Sequence, residues 1–261
     1  MLVEVKDKNE IERFLAHNAA LNIYSIGDLD DFFWPYTRWY GIRRNNKLES
    51  LAMLYSSGAS ACTLLAFSEP VDAGCRLLEQ MTPHLPLSFY AHLSPGLEKA
   101  LCQNFSADFH GNHQKMFLNK LLIDPDLDLT RATLLSKTDL PAIMKLYQES
   151  YPGNWFDPRM LESDRYFGIF SGDELISIAG IHVYSKKYRV AALGNITTHI
   201  NHRGKGLGSL VTTKLCQALV YDGLSIGLNV KSDNAKAISC YEKIGFRKVA
   251  DYREYNFQRK Q

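Results

Sequence analysis

Two separated segments of this chain carry residues whose types and spacing could do chemistry. The first is a basic, glycine-rich turn, Arg203-Gly204-Lys205-Gly206-Leu207-Gly208. It follows an apolar, β-branched run and opens a run with helical periodicity. Glycine lets a backbone adopt positive φ and approach a ligand closely, and the N–H groups of a helix's first turn attract anions. The turn therefore predicts a phosphate cradle at a helix N-terminus.

The second segment runs from Asn234 through Phe246 with the sequence N-A-K-A-I-S-C-Y-E-K-I-G-F. Asn234 stands at the start of a predicted helix, where it either caps the helix or keeps its side chain for a ligand. Ala237 and Tyr241 are one turn apart on one helix face, so Tyr241 either projects into a cleft or packs in the core. Taken singly, each residue fits its structural role better than a chemical one.

The elements that must position these segments form a mixed pattern of helices and strands. Helical periodicity predicts helices, while alternating or β-branched runs predict strands. The predicted strands of the second half are 130–135, 166–170, 175–183, 188–199, 224–230 and 246–257, and its predicted helices are 140–150, 159–163, 207–220 and 234–244.

The first half repeats this order of elements without repeating the residues. Its predicted strands are 2–5, 39–44, 48–55, 62–67, 87–91 and 115–122, and its predicted helices are 9–18, 25–33, 71–81 and 95–103. An acidic, proline-containing stretch at 124–128 has the composition of a linker. We therefore expect an α/β (α+β) chain with a mixed, mostly antiparallel sheet flanked by helices, built as two tandem halves at residues 1–126 and 127–261.

Composition excludes several classes of protein. The net charge of +2 is too small to indicate nucleic-acid binding. No apolar run is long enough for a membrane span, and the first residues do not resemble a secretory signal. The five cysteines are scattered without a C-x-x-C pair, which disfavours disulfides and zinc and fits a cytoplasmic protein. The pair His110 and His113 is interpreted as a polar turn rather than a metal site, so no metal is expected.

Together, the two chemical segments are much more specific than either is alone. The glycine turn matches the signature R/Q-x-x-G-x-G/A, and the second segment matches N-x-x-A-x-x-x-Y-x-K-x-G-F. With these motifs, residues 130–257 resemble the GCN5-related N-acetyltransferase (GNAT) family. The stretch from Gly194 to Gly204 is further similar to the branch of glycine N-acyltransferases and FR47-like proteins, which carry a degenerate copy of the fold in their first half.

The resemblance implies acetyl-CoA, or another acyl-CoA, as the donor. The strand ending at Thr198 would diverge from strand 224–230, and its backbone would pair with the pantetheine arm and polarise the thioester carbonyl. The glycine turn would hold the pyrophosphate, and Tyr241 would be the general acid for the departing sulfur. The cofactor-binding residues implied in this way are Ile196, Thr197, Thr198, Arg203, Gly204, Lys205, Gly206, Leu207, Gly208, Asn234 and Tyr241.

The first half lacks a comparable cradle. Its corresponding stretch, 67–74, replaces the basic glycines with two acids and a proline. A carboxylate repels a pyrophosphate and proline removes an N–H donor. We therefore expect residues 1–126 to be a degenerate half without a cofactor site, and activity to reside in residues 127–261.

The resemblance does not identify the general base. Many family members place a glutamate eleven residues before the motif arginine, but that position here is Ala192. The candidates nearby are His199, whose ordinary pKa suits base chemistry, and Asn195 or Thr197 holding a water. Glu162 and Asp164, from the preceding segment, remain open as well.

The acceptor is predicted to be the amine of a small molecule or amino acid, attacked directly in a ternary complex. Trp155 and Phe156 either wall its pocket, together with Asn195, or only pack their own loop. A protein N-terminus or lysine is the alternative acceptor, and an acyl-CoA-binding regulatory module without turnover is the alternative to an enzyme. The expected partners include no nucleic acid and no membrane, and the chain is expected to be a monomer or homodimer.

Overall fold

The computed structural model describes residues 1–56 and 62–261, which form two compact units. Unit 1 comprises Met1–Lys115, Lys231–Asp233 and Val249–Gln261, and unit 2 comprises Met116–Val230 and Asn234–Lys248. This division differs from the expected halves in two ways. The first segment of unit 1 ends at Lys115 rather than at residue 126. The C-terminal residues of the chain, Val249–Gln261, belong to unit 1 rather than to unit 2.

Helices and strands alternate through the chain. Up to residue 118 they are β1 Leu2–Glu4, α1 Lys8–Ala16, α2 Ile23–Gly27, β2 Thr37–Arg44, β3 Lys47–Tyr55, β4 Thr63–Ala66, α3 Val71–Met81, β5 Ser88–Leu93, α4 Glu98–Leu101 and β6 Phe105–Leu118. After it they are β7 Thr133–Leu134, α5 Leu140–Ser150, β8 Phe167–Ser171, β9 Glu174–Ser185, β10 Val190–Thr198, α6 Leu207–Tyr221, β11 Ser225–Lys231, α7 Ala235–Ile244 and β12 Phe246–Arg259.

Unit 1 is built on a sheet in the order β1-β2-β3-β4-β5-β12-β6. The pair β4–β5 is parallel, whereas β12 runs antiparallel to β5, with Tyr255 opposite Ala91. Apolar residues on one face of these strands, including Phe89 and Phe257, pack with α3 and α4 into a buried core. The last strand of the chain is therefore an interior strand of the unit formed by its first residues.

Several predictions for the first half are wrong at their boundaries. Strand β6 begins at Phe105 rather than 115, so His110 and His113 lie in a strand and not in a polar turn. Its first residues are mostly polar, and their local pattern conceals a strand whose place is set by pairing within the sheet. The helices predicted at 25–33 and 95–103 shrink to α2 and α4, while short turns complete both stretches.

Unit 2 is built on a sheet in the order β11-β10-β9-β8-β7. Only β10 and β11 are parallel within it, so the expected mixed, mostly antiparallel sheet flanked by helices is confirmed. Helix α6 packs its residues Leu210, Val211, Leu215 and Leu219 into the core of this unit. The strand predicted at 130–135 is reduced to two residues, because a 3-10 helix occupies Leu129–Arg131.

Local signals explain where the helices of unit 2 begin and end. A capping box between Ser136 and Asp139 precedes α5, which spans the predicted residues. Helix α7 ends at Gly245 with φ of 112°, where a Cβ would lie 1.9 Å from the Lys120 carbonyl oxygen. Only glycine fits that close approach. Among the described residues, none of the helices has the length and apolar character needed to cross a membrane.

Candidate functional site

The parallel strands β10 and β11 open a gap in the sheet of unit 2. Their paired positions run from Val190 opposite Ser225 to Leu193 opposite Leu228. Strand β10 continues to Thr198 and β11 to Lys231 beyond the last pair. The two strands therefore separate beyond this point, which is the divergence that the resemblance implied.

The glycine turn lies directly after β10 and leads into α6. Gly204 and Gly206 have φ of 79° and 74°, and a Cβ at either position would meet no atom within 4 Å. The N-cap residue of α6 is Gly206, which has no side chain to cap the helix, so the N–H groups of the first turn keep their capacity for an anion. Lys205 is exposed beside them. The residues present thus fit a pyrophosphate group.

Arg203 ties the turn to its surroundings. Its Nε donates to the Thr198 carbonyl at 3.1 Å and its Nη2 donates to the Ser150 carbonyl at 3.2 Å. The Thr198 hydroxyl in turn meets the Ser177 hydroxyl at 2.9 Å. Arg203 therefore connects the end of β10 with the end of α5, which is a positioning role in addition to the cofactor binding that the resemblance implied.

The two motif residues at α7 have different surroundings. Asn234 is exposed and caps α7, since its Oδ1 accepts from the Ala237 N–H at 3.2 Å. Tyr241 is partly buried and packs edge-on against Phe246, with ring centroids 5.9 Å apart. Burial raises the pKa of the Tyr241 phenol above its ordinary value, so the hydroxyl keeps its proton at neutral pH. Asn234 is thus a helix cap, and Tyr241 is a protonated phenol.

A bulge in β10 centres on Asn195, which is 2% exposed. The register with β9 shifts between Gly194 and Thr197, and Asn195 has φ of 56°. Its carbonyl accepts from the Tyr147 hydroxyl at 2.9 Å, and its Nδ2 donates to the Tyr166 hydroxyl at 3.0 Å. Two buried phenols therefore hold the bulge rigidly beside the gap.

The aromatic residues of the 151–157 loop divide into two roles. Phe156 packs against Tyr147 and Tyr166 at 5.2 and 5.7 Å, so it belongs to the core of unit 2. Trp155 is 42% exposed and lies edge-on to His182 at 5.8 Å. Of the two, only Trp155 is placed where it can contact a ligand.

The sequence analysis missed His182 and Asn229. His182 lies in β9, and its Nε2 meets the Asn195 Oδ1 at 3.2 Å. Asn229 follows the last paired position of β11, and its Oδ1 is buried without a hydrogen-bond partner in the described structure. A lone titratable residue in the apolar run of β9 was a signal for His182, but nothing local distinguished Asn229.

The candidate bases named from sequence are placed differently from one another. His199 has its Nε2 3.5 Å from a Glu149 carboxylate oxygen, and its Nδ1 accepts from the Asn201 N–H at 3.3 Å. Glu162 pairs with Lys137 at 2.9 Å on the surface. Asp164 is exposed at the end of a 3-10 helix, and Ala192 is fully buried. None of these side chains is among the partners of Asn195.

The counterpart of the glycine turn in unit 1 is a packing site. A Cβ at Gly74 would lie 2.7 Å from the Leu97 Cδ2 and from the Ser68 Cβ. Gly204 and Gly206 have open space at the same atom. Gly74 therefore serves close packing of α3, whereas the two glycines in unit 2 serve a turn that faces outward.

The parallel strands that separate after Leu193 and Leu228 lead to the N-terminus of α6, an arrangement into which a CoA thioester would fit. Residues 139–246 match the family described as "Acetyltransferase (GNAT) family". Residues 139–246 therefore form an acetyltransferase domain of the GNAT family, whose members transfer acetyl groups from acetyl-CoA to amines. The finer likeness to glycine N-acyltransferases stays a prediction.

Individual relatives agree with this assignment. The [Ribosomal protein bS18]-alanine N-acetyltransferase of Salmonella typhimurium LT2 is 28% identical over 128 residues, covering 47% of this chain and 84% of the relative. A Drosophila protein of known structure has a TM-score of 0.71 at 15% identity and covers 98% of each chain. A tandem GNAT protein from the clavulanic acid biosynthesis pathway has a TM-score of 0.54 at 14% identity, covering 98% and 97%. At these identities the two structures establish the fold alone.

Proposed function

We propose that unit 2 transfers the acetyl group of acetyl-CoA to the primary amine of a small molecule or amino acid in a ternary complex. The observation that carries the proposal is the gap between β10 and β11, which begins after Leu193 and Leu228 and leads to the uncapped N-terminus of α6. A thioester arm needs extended backbone partners, and its pyrophosphate needs N–H donors. The extended strand edges and the N–H donors of the helix N-terminus are adjacent in this unit.

In this proposal the donor lies along β10. Backbone groups of Ile196, Thr197 and Thr198 bind the pantetheine arm, and an N–H near Thr198 polarises the thioester carbonyl. The N–H groups from Gly204 to Gly208 hold the pyrophosphate, and Lys205 adds positive charge. Neither Asn234 nor Arg203 needs to touch the donor, because their hydrogen bonds already support α7 and the turn.

Tyr241 is the proposed general acid. When the amine attacks the thioester carbon, the C–S bond breaks and the sulfur keeps the electron pair. The Tyr241 phenol, whose pKa is raised by burial, then donates its proton to that sulfur. A phenol that stays protonated is available for this step throughout the neutral range.

A protein N-terminal amine is the second candidate acceptor, and two observations favour it. The Salmonella relative is named for an alanine of a ribosomal protein. In unit 2, α5 and the β8–β9 hairpin form a groove of about 500 Å³ whose charged lining residues are Glu149, Asp173, Glu174 and Lys145, so its net charge is negative although Lys145 pairs with Glu174. Such acidic walls attract a basic peptide.

The test is a panel of acceptors with acetyl-CoA, with release of free CoA as the readout. Turnover with amino acids or small amines, but not with peptides, supports the first candidate. Turnover confined to peptides with basic residues, and weakened by Glu149→Gln, supports the second. Binding of acetyl-CoA without acetylation of any amine would contradict both and identify a regulatory module.

A further inference from the structure

We infer that Tyr147 and Asn195 are positioning residues for acetyl transfer, because together they hold the bulge of β10 at the start of the segment proposed to bind the thioester arm. The inference rests on the proposed acetyl transfer by unit 2. Neither side chain is assigned a contact with a substrate, and both act through the backbone of β10.

The bulge leaves two residues of β10 without support from the sheet. Strand β10 pairs with β11 as far as Leu193, and with β9 at Gly194 and again at Thr197. Within the described sheet, Asn195 and Ile196 have no paired residue in either neighbouring strand. They lie directly beyond the last pair with β11, where the gap begins, so their backbone needs support from another element.

The last turn of α5 gives this support on both sides of Ile196. The Tyr147 hydroxyl donates to the Asn195 carbonyl at 2.9 Å. Two residues further along β10, the Thr197 hydroxyl donates to the Ser150 carbonyl at 3.4 Å. The helix therefore takes the place of the missing strand partners.

The bond from Tyr147 determines which way the peptide between Asn195 and Ile196 faces. A carbonyl oxygen only accepts, and burial raises the pKa of the Tyr147 phenol well above its ordinary value, so the hydroxyl is the donor. The peptide is trans, and the C=O and N–H bonds of a trans peptide point in opposite directions. The Ile196 N–H therefore points away from the Tyr147 hydroxyl, and loss of that hydroxyl would free the peptide to turn.

Asn195 suits the bulge through its backbone and its side chain. Its φ is 56°, a left-handed conformation that asparagine tolerates better than most residues. Its Nδ2 donates to the Tyr166 hydroxyl at 3.0 Å, and that hydroxyl donates to the Ile181 carbonyl at 2.7 Å. Residue 195 is thus anchored at its carbonyl by α5 and at its side chain by the residue before β8.

This anchoring is expected to act on the rate rather than on donor affinity. Acyl transfer needs backbone N–H donors that are already aimed when charge develops on the thioester oxygen. A displacement of about 1 Å in such a group can cost about 10²-fold in rate. The pyrophosphate keeps its own partners at the turn before α6, so binding of the donor should change little.

The test compares Tyr147→Phe with Tyr184→Phe in the full chain, with acetyl-CoA and the acceptor found active. Tyr184 is another phenol of unit 2, partly buried, whose hydroxyl meets Asp222 at 3.4 Å. Tyr147→Phe should lower kcat by about tenfold or more and keep KM for acetyl-CoA within about twofold, whereas Tyr184→Phe should keep both. An unchanged kcat in Tyr147→Phe, or an equal loss of affinity for acetyl-CoA and CoA, would overturn the inference.

A second variant tests the other anchor. Asn195→Gly keeps positive φ accessible but removes the side chain, and it should show the same fall in kcat with KM retained. Because both anchors hold one peptide, the double variant should be slower than the more impaired single variant by no more than about threefold. Losses that multiply fully would contradict a shared role. Titration with CoA verifies that each variant is folded, and if Tyr147→Phe does not bind CoA, Asn195→Gly decides by the same criteria.

Infrared spectroscopy of bound acetyl-CoA, labelled with carbon-13 at the thioester carbonyl, gives a readout that needs no acceptor. A hydrogen bond weakens the C=O bond and lowers its stretching frequency. In Tyr147→Phe and Asn195→Gly this frequency should move back toward that of free acetyl-CoA, and a frequency equal to that of the wild type would overturn the inference even where acetyl transfer proceeds. A wild type that binds acetyl-CoA but acetylates no amine would overturn the proposed function, and the carbonyl frequency would still decide whether the two residues position the bulge.

Discussion

Replacing Gly206 by alanine separates the cost of an unusual backbone conformation from the loss of an anion site. Gly206 has φ of 74° and an added Cβ would meet nothing within 4 Å, so the change introduces no clash. Gly172 in the β8–β9 turn has φ of 59° and equally open space. The left-handed conformation costs an L-residue about 1–2 kcal/mol. Gly172→Ala is therefore a matched control within the same unit.

Both variants are expected to lose similar stability, but only one should lose affinity for the donor. Each kcal/mol lowers Tm by about 2–4 °C in a domain of this size. Gly206 is also the residue that aims the first N–H groups of α6, and a hydrogen bond to a charged group contributes about 1.5–3 kcal/mol. Since about 1.4 kcal/mol is tenfold in affinity, misaligning one donor should raise Kd for CoA by about tenfold or more.

The assay is calorimetric titration of CoA into each variant, alongside thermal unfolding without ligand. Gly172→Ala should unfold earlier yet bind CoA like the wild type. Equal Kd values for Gly206→Ala and Gly172→Ala would refute the assignment of the pyrophosphate to the turn. Dephospho-CoA, which lacks the 3′-phosphate but keeps the pyrophosphate, should show the same ratio between the variants.

Three further predictions address the acid, a buried charge pair and the packing behind the bulge. Tyr241→Phe should lower kcat by about 10²-fold or more with little change in Kd for acetyl-CoA, and an unchanged kcat in steady-state assays would refute its role as acid. In unit 1, burial raises the pKa of Asp28 to about 7 and lowers the pKa of Lys115 to about 7, and each charge opposes the shift of the other. Lys115→Met removes the charge that favours the Asp28 carboxylate, so the pKa of Asp28 should rise further. A folded-state pKa above the unfolded value loses stability as the pH rises through it, so the variant should compare less favourably with the wild type at pH 8 than at pH 5. Equal losses in urea unfolding at both pH values would contradict this. Gly180→Ala would place a Cβ 2.0 Å from the Tyr166 ring and should lower the free energy of unfolding by about 1–3 kcal/mol. A Cβ at Gly153 would have nothing within 4 Å, so Gly153→Ala should show no clash-related loss in the same assay.

Local sequence signals predicted much of the fold. Helices α3 and α5 appear at the predicted residues because each combines apolar periodicity with a clear start. Strand β6 was missed over its first ten residues because a polar sequence around Gly111 has no period-two pattern of its own. Nothing in the local sequence indicated that Val249–Gln261 belongs to unit 1, because the residues of a strand do not by themselves specify its partner strand.

By itself, the sequence predicted the residues that would bind the donor. The glycines at 204 and 206 and the tyrosine at 241 act through their own backbone conformation and side-chain chemistry, and these are local properties that spacing reveals. Only the tertiary structure decided which side chains surround the bulge of β10. His182, Asn195 and Tyr166 meet because β9 pairs with a bulged β10, with Tyr166 hydrogen-bonded to the strand at Ile181. A register shift redirects side chains to new neighbours, and the spacing of residues along a chain does not encode that step.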